Sequence, residues 1–208
     1  MAKQNRSATL CHGIGGKMDK FEYVVALAAV ITGLGLSDVA VSLHRLLKRR
    51  AGVVWDWLPI TLALYASMVL MRLWYQLWSV REVPVVTGLP FVAVVVVQTL
   101  LLVLVMSAAL PDEDDFKRGR VDLRAYYATQ SRYIWSMYLL FVSMWIATHF
   151  YFEGPERLIE LDFYAFFLMP LVLTAVAVVV ARRWQAVILG FLVLQEAVIK
   201  WDFFGLWG

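Results

Sequence analysis

Long apolar runs alternate with short charged stretches along almost the whole chain, and each run has the length a bilayer demands. A hydrocarbon core about 30 Å thick is crossed by about 20 helical residues rising 1.5 Å each. Six windows of that size are bounded by charge or by Pro and Gly. The first runs from Phe21 to about Leu43 and stops at Arg45, Lys48, Arg49 and Arg50. The second covers about Trp55 to Val80, with Pro59 in its first turn, where proline is tolerated. The third, Val86 to Leu110, is aliphatic apart from Gln98 and Thr99, and Pro111 ends it. The fourth is about Tyr133 to Phe152, the fifth about Phe163 to Ala181 and the sixth about Trp184 to Trp201. Only Arg182 and Arg183 separate the last two, which predicts an antiparallel hairpin. Tyr23, Trp55, Tyr133, Trp184 and Trp201 fall near the proposed interfaces, as an aromatic belt requires.

Between the third and fourth windows, Pro111 to Arg132 is too charged for hydrocarbon and is expected in water or at the bilayer surface. It is acidic from Asp112 to Asp115 and basic after that, and a short interfacial helix is expected around Asp122 to Gln130. The abrupt change of sign suits a protein partner or a lipid headgroup, beside the plainer reading of a solvated connector. Residues 1–20 form a polar tail. The MDKFEY starting at Met18 reads as a native beginning, which leaves residues 1–17 as an upstream start or a cloning remnant. Nothing in residues 1–17 makes the apolar stretch of a cleavable signal, so the first helix is expected to stay as an anchor. The predicted architecture is all-α: a six-helix transmembrane bundle over residues 21–208 with a charged cytoplasmic loop at 111–132.

Composition agrees. Of 208 residues 62% are hydrophobic and 17% charged, where a soluble domain has about 45 to 50% and about 25%. One cysteine, Cys11, forms no internal disulfide, and three histidines with that thiol leave little for a structural metal site. The net charge of +3 raises nucleic acid as a partner, but basic residues in loops beside apolar segments are what membrane orientation requires. Eleven Lys and Arg fall on one side: Arg45, Lys48, Arg49, Arg50, Lys117, Arg118, Arg120, Arg124, Arg132, Arg182 and Arg183. Seven fall on the other: Lys3, Arg6, Lys17, Lys20, Arg81, Arg157 and Lys200. The excess predicts both termini outside the cytoplasm, periplasmic for a bacterial inner membrane.

Ionisable residues inside a span cost about 2.5 to 3.5 kcal/mol each and are expected to face the bundle interior with a partner. In the proposed orientation Glu22, Arg72, Glu196 and Lys200 share the outer layer, with Gln76 one turn from Arg72 and His149 near the outer end of the fourth helix. Glu196 and Lys200 are four apart with the acid first, the favourable order for a helical pair. Arg72 is left to pair with Glu22 or Glu196. One reading is an ion-pair network that fixes helix register, with Lys200 snorkelling. The other is an outward-facing vestibule lined by Glu22, Arg72, Gln76, Glu196 and His149. Asp38 lies deeper in the first helix, with Ser42 four residues on and Asp56 at the facing end of the second. The two acids could hold a proton or cation, while a hydrogen-bonded structural Asp38 is the blander reading. Ala29, Gly33 and Ser37 recur every four residues, the small-residue spacing of close helix contacts, and are read as a packing face.

No cofactor or metal is expected. His44 and His149 lie at opposite depths and cannot share a haem. H-E-x-x-H, G-x-S-x-G and paired cysteines are missing, and GIGGK lacks the first glycine and final Ser/Thr of a phosphate loop. WDWLPIT and the final-helix Lys200 resemble segments of microbial rhodopsins. Only one helix precedes WDWLPIT here where that family has two, and Lys200 sits near the interface. Three helices on each side of the central loop match the arithmetic of inverted repeats, with sparse internal correspondence.

The opening FEY followed by GLG in the first helix, with DLRAYY after the third, resembles a family of uncharacterised bacterial polytopic integral membrane proteins of about this size. The resemblance covers the first helix and the central loop; it implies a multi-pass protein and no activity. The function expected is a channel or transporter for an ion or small polar solute. The alternative is a non-catalytic subunit or scaffold of a larger membrane complex. Expected partners are the lipid bilayer and either a second copy or other membrane subunits.

Overall fold

A computed structural model describes residues 20–79, 88–117, 120–153 and 167–203. The chain is helical throughout apart from one pairing of two-residue strands among the described residues. Helix α1 is Lys20–Lys48, α2 Trp57–Ser79, α3 Leu89–Ala109, the short α4 Glu113–Lys117, α5 Leu123–Glu153, α6 Met169–Val179 and α7 Arg182–Phe203. Four of these, α1, α2, α3 and α5, are long and apolar enough to cross a membrane. Helix α6 has 11 residues and α7 has 22. Leu34, Leu89, Tyr151 and Val179 stand fully outward, as lipid-facing positions must.

Local chemistry sets the helix ends. Asp56 caps α2, its Oδ1 accepting the Leu58 N–H at 3.0 Å, and Asp122 caps α5, accepting the N–H groups of Arg124 and Ala125 at 2.8 and 3.1 Å. Gly88 precedes α3, and Pro90 sits in its first turn, where its missing N–H leaves no bond unmade. Helix α1 continues past Leu43 to Lys48 because Arg45 and Lys48 suit the negative end of the helix dipole.

Two sequence expectations change. The interfacial helix near Asp122 to Gln130 and the fourth window are one helix, α5, of 31 residues. No Gly or Pro interrupts 123–153, so nothing breaks it. Its first turns are not solvated loop either: Leu123 and Tyr127 are fully buried. The turn into α7 is Val180 and Ala181, and Arg182 and Arg183 are the first residues of that helix.

Contacts at matching intervals give the helix directions. Tyr65 and Arg72 of α2 meet Tyr138 and Trp145 of α5, seven residues apart on each helix, so the two run parallel. Asp56 and Arg72 of α2 meet Arg182 and Glu196 of α7 in the same sense. Gly35 and Asp38 of α1 meet Val103 and Ser107 of α3 likewise. The core lies among α2, α3 and α5, with Leu62, Leu70, Leu102, Met106, Trp135 and Phe141 at its centre.

The segments at 45–56, 111–117, 120–124 and 181–185 gather at one end of the bundle. There β1 (Val53–Val54) pairs in parallel with β2 (Val121–Asp122), Val53 opposite Val121, and Arg45 reaches Glu113.

The close approach of α1 is made by a neighbouring stripe to the one expected. Ala29, Gly33 and Ser37 are exposed, and a Cβ on Gly33 would meet nothing within 4 Å. Ala28, Thr32, Gly35 and Val39 face inward instead. A Cβ on Gly35 would come 2.6 Å from Val103 Cγ2 and 3.1 Å from Met106 Cε. The inward positions recur at intervals of four, three and four residues, because burial follows the apolar period of the helix rather than residue size alone.

Candidate functional site

Helix α2 carries Arg72 inward because Tyr65, Val69 and Leu73 on the same side are core residues. Helix α7 carries Glu196 inward on the face of Leu189 and Leu192. Arg72 Nη1 lies 2.6 Å from Glu196 Oε1, and both side chains are largely buried. The guanidinium carbon stands 5.0 Å from the centre of the Trp145 ring. Trp145 stacks on Phe167 with centroids 4.9 Å apart, and His149 tilts against both at 5.2 and 4.6 Å. The cation is thus held between a carboxylate and a π face. Toward the bundle centre the hydroxyls of Tyr65 and Tyr138 share a hydrogen bond of 2.7 Å.

Glu196 is only 4% exposed. Its Oε1 meets Arg72, while its Oε2 is buried with no hydrogen-bond partner among the described residues. A buried acceptor left without a donor costs about 1 to 3 kcal/mol. This oxygen is the chemically open position of the site.

Arg72, Glu196 and His149 therefore share one layer through Trp145, and Gln76 is half-buried one turn beyond Arg72. Glu22 is not Arg72's partner and lies exposed at the start of α1. Lys200 is on the α7 backbone, and its side chain lies outside the described residues, as does the tail through residue 19.

Asp38 and Asp56 each have a partner of their own. Asp38 accepts the Ser107 hydroxyl at 2.7 Å between α1 and α3. Asp56 is occupied by the α2 cap and by Arg182. Sequence reading treated Arg182 as an orientation charge only. A signal was present: a cation in the first turn of a helix opposes the dipole and needs an anion nearby, and Asp56 supplies it. Beside that pair, Tyr127 donates to Gln185 Oε1 at 3.0 Å and accepts the Trp135 indole N–H at 2.8 Å, while Gln185 Nε2 donates to Ala177 O at 2.9 Å. That network ties α5, α6 and α7 together with each of these contacts satisfied. No group of three or more His, Cys, Asp or Glu able to hold a metal occurs among the described residues.

Comparison of the chain with protein-family models, with curated proteins and with solved structures finds no match.

Proposed function

We propose that the protein is a channel or transporter that moves an ion or a small polar solute across a bacterial inner membrane, as a six-pass protein with both termini periplasmic. The observation that supports it is the open Oε2 of Glu196 beside a buried Arg72. The attraction of a pair about 4 Å apart is about 4 kcal/mol at an effective dielectric constant of about 20. Desolvation costs several kcal/mol for each ion, so a buried pair breaks even only when its remaining lone pairs are also used. Here they are not. The pair is a poor fastener, and a proton, a cation or a polar solute that takes the second oxygen relieves its deficit. Exchange of the carboxylate between Arg72 and such a ligand is the switching step this reading requires.

The test is ion or solute flux into liposomes holding the purified protein, comparing Glu196→Gln and Arg72→Ala with the parent chain. Flux should fall at least tenfold in both, as expected when one member of the binding pair is lost. A second reading, a non-catalytic subunit or scaffold, is favoured by the same helices. Asp56–Arg182 and Arg72–Glu196 join α2 to α7 at two levels, an arrangement that also serves to fix register. Unchanged flux in both variants, with a partner protein needed for stability, would replace the first reading by the second.

A further inference from the structure

The gathered end of the bundle holds a basic pocket that the Arg72 site does not involve. Its volume is about 240 Å³, and it is lined by His44, Arg45, Lys48, Arg49, Glu113 and Phe116. That is about eight times the share of one water in the liquid, room for a phosphate with part of its hydration shell. Arg49 is fixed by its hydrogen bond to the Phe116 carbonyl at 3.3 Å and by the Phe116 ring 5.3 Å away. Arg45 is drawn to Glu113 at 3.4 Å, both substantially exposed. Lys48 and His44 are exposed. Three cations line the pocket against one carboxylate, and Asp112 lies within electrostatic reach of Arg45, which leaves an excess of about one positive charge. The negative end of the α1 dipole, about half a charge, does not cancel it.

An apolar seam leads into this pocket. Leu27, Leu34, Val41 and Lys48 follow one another at intervals of seven on α1, which keeps them on one side of the helix with only about 20° of drift per step. The three apolar members are 45, 67 and 42% exposed. From Lys48 to Leu34 the seam is about 21 Å long at 1.5 Å per residue, the reach of one extended acyl chain from the pocket into the hydrocarbon, and Leu27 lies beyond it.

We infer that this pocket and seam bind an anionic phospholipid, with the headgroup phosphate held by Arg45, Lys48 and Arg49 and an acyl chain along Val41 and Leu34. Cationic pockets at a helix end are suited to such headgroups. The continuous apolar seam favours a lipid over free phosphate. The site is independent of any flux through the protein.

The experiment is native mass spectrometry of the full-length protein in detergent, titrated with phosphatidylglycerol, with phosphatidylcholine or with inorganic phosphate. Phosphatidylglycerol should bind in preference to phosphatidylcholine, and Lys48→Gln should weaken it about fivefold, the effect of one basic residue near the surface. Arg183→Gln removes an exposed cation elsewhere on the same end and should leave binding within twofold. Equal losses in the two variants would reveal diffuse charge attraction and overturn the site. Equal binding of phosphatidylcholine, or full displacement of the lipid by millimolar phosphate, would overturn it as well. Lys48 is exposed, so its variant keeps the fold, and an unchanged thermal unfolding profile checks that.

Discussion

The Arg72–Glu196 pair makes a quantitative prediction through a double-mutant cycle. Glu196→Leu leaves the guanidinium buried without a counter-charge, though it keeps the Trp145 face 5.0 Å away. Arg72→Met leaves a carboxylate buried with neither oxygen served. Breaking a buried pair from one side costs about 3 to 5 kcal/mol. The leucine variant should fall at the low end and the methionine variant at the high end. Replacing both, Arg72→Met with Glu196→Leu, removes the stranded charges and should cost only about 2 kcal/mol, mainly the lost cation–π contact. The coupling between the sites should then exceed about 2 kcal/mol in favour of the double variant. Reversible unfolding in mixed micelles of increasing denaturing-detergent fraction, followed by tryptophan fluorescence, measures all three. Additive losses within about 0.5 kcal/mol would refute the reasoning, since they would mean the pair is solvated and each charge stands alone. The double variant also separates the two functional readings. A transporter loses flux while remaining folded, whereas a register lock loses neither fold nor assembly once the pair is replaced by apolar contact.

Two other outcomes follow from the helix packing and from the proposed orientation. Gly35→Ala should destabilise by about 1 to 3 kcal/mol, because its Cβ meets Val103 at 2.6 Å, whereas Gly33→Ala should be neutral or stabilising by up to about 1 kcal/mol; the same unfolding assay compares them, and equal effects would place the α1–α3 contact elsewhere. In a Cys11→Ser background, Arg50→Cys should resist a membrane-impermeant maleimide in intact spheroplasts and react after lysis, and labelling before lysis would reverse the proposed orientation.

Much of the fold follows from the apolar pattern because bilayer thickness fixes helix length: α1 and α5 contain their expected windows, and α2 and α3 lie within theirs. What the pattern does not carry is where a helix stops outside hydrocarbon. Helices α1 and α5 extend beyond their windows through residues that are polar yet helix-compatible: Arg45 to Lys48 at one end of α1, and Leu123 to Arg132 at the start of α5. Hydropathy sees a boundary there, and backbone hydrogen bonding does not. The choice between Glu22 and Glu196 as the partner of Arg72 was closed to sequence for a different reason. Both are at a suitable depth, and only the rotation of α1 and α7 about their axes decides between them. Glu22 turns outward while Glu196 follows Leu189 and Leu192 into the core.

The two ion pairs between α2 and α7 have opposite polarity, and this bears on how the site works. Helix α2 contributes an anion at one end, Asp56, and a cation at the other, Arg72; α7 contributes Arg182 and Glu196 in the reverse order. The separations are sixteen residues on α2 and fourteen on α7, about 24 and 21 Å at 1.5 Å per residue. A slide of α7 along α2 by one turn would strand all four charges, because each would then lack its opposite. Translation of the helix is therefore closed to this pair, and a rotation or local tilt that opens one end while the other holds is the motion left to it. The ends differ in the way that motion needs. Asp56 is doubly committed, to the α2 cap and to Arg182. Glu196 holds Arg72 through a single oxygen. In the transport reading proposed above, the doubly held Asp56 would be the fulcrum and the Glu196 end the part that lets go, so exchange of ligand at Glu196 would tilt α7 about Arg182 rather than displace the helix as a whole.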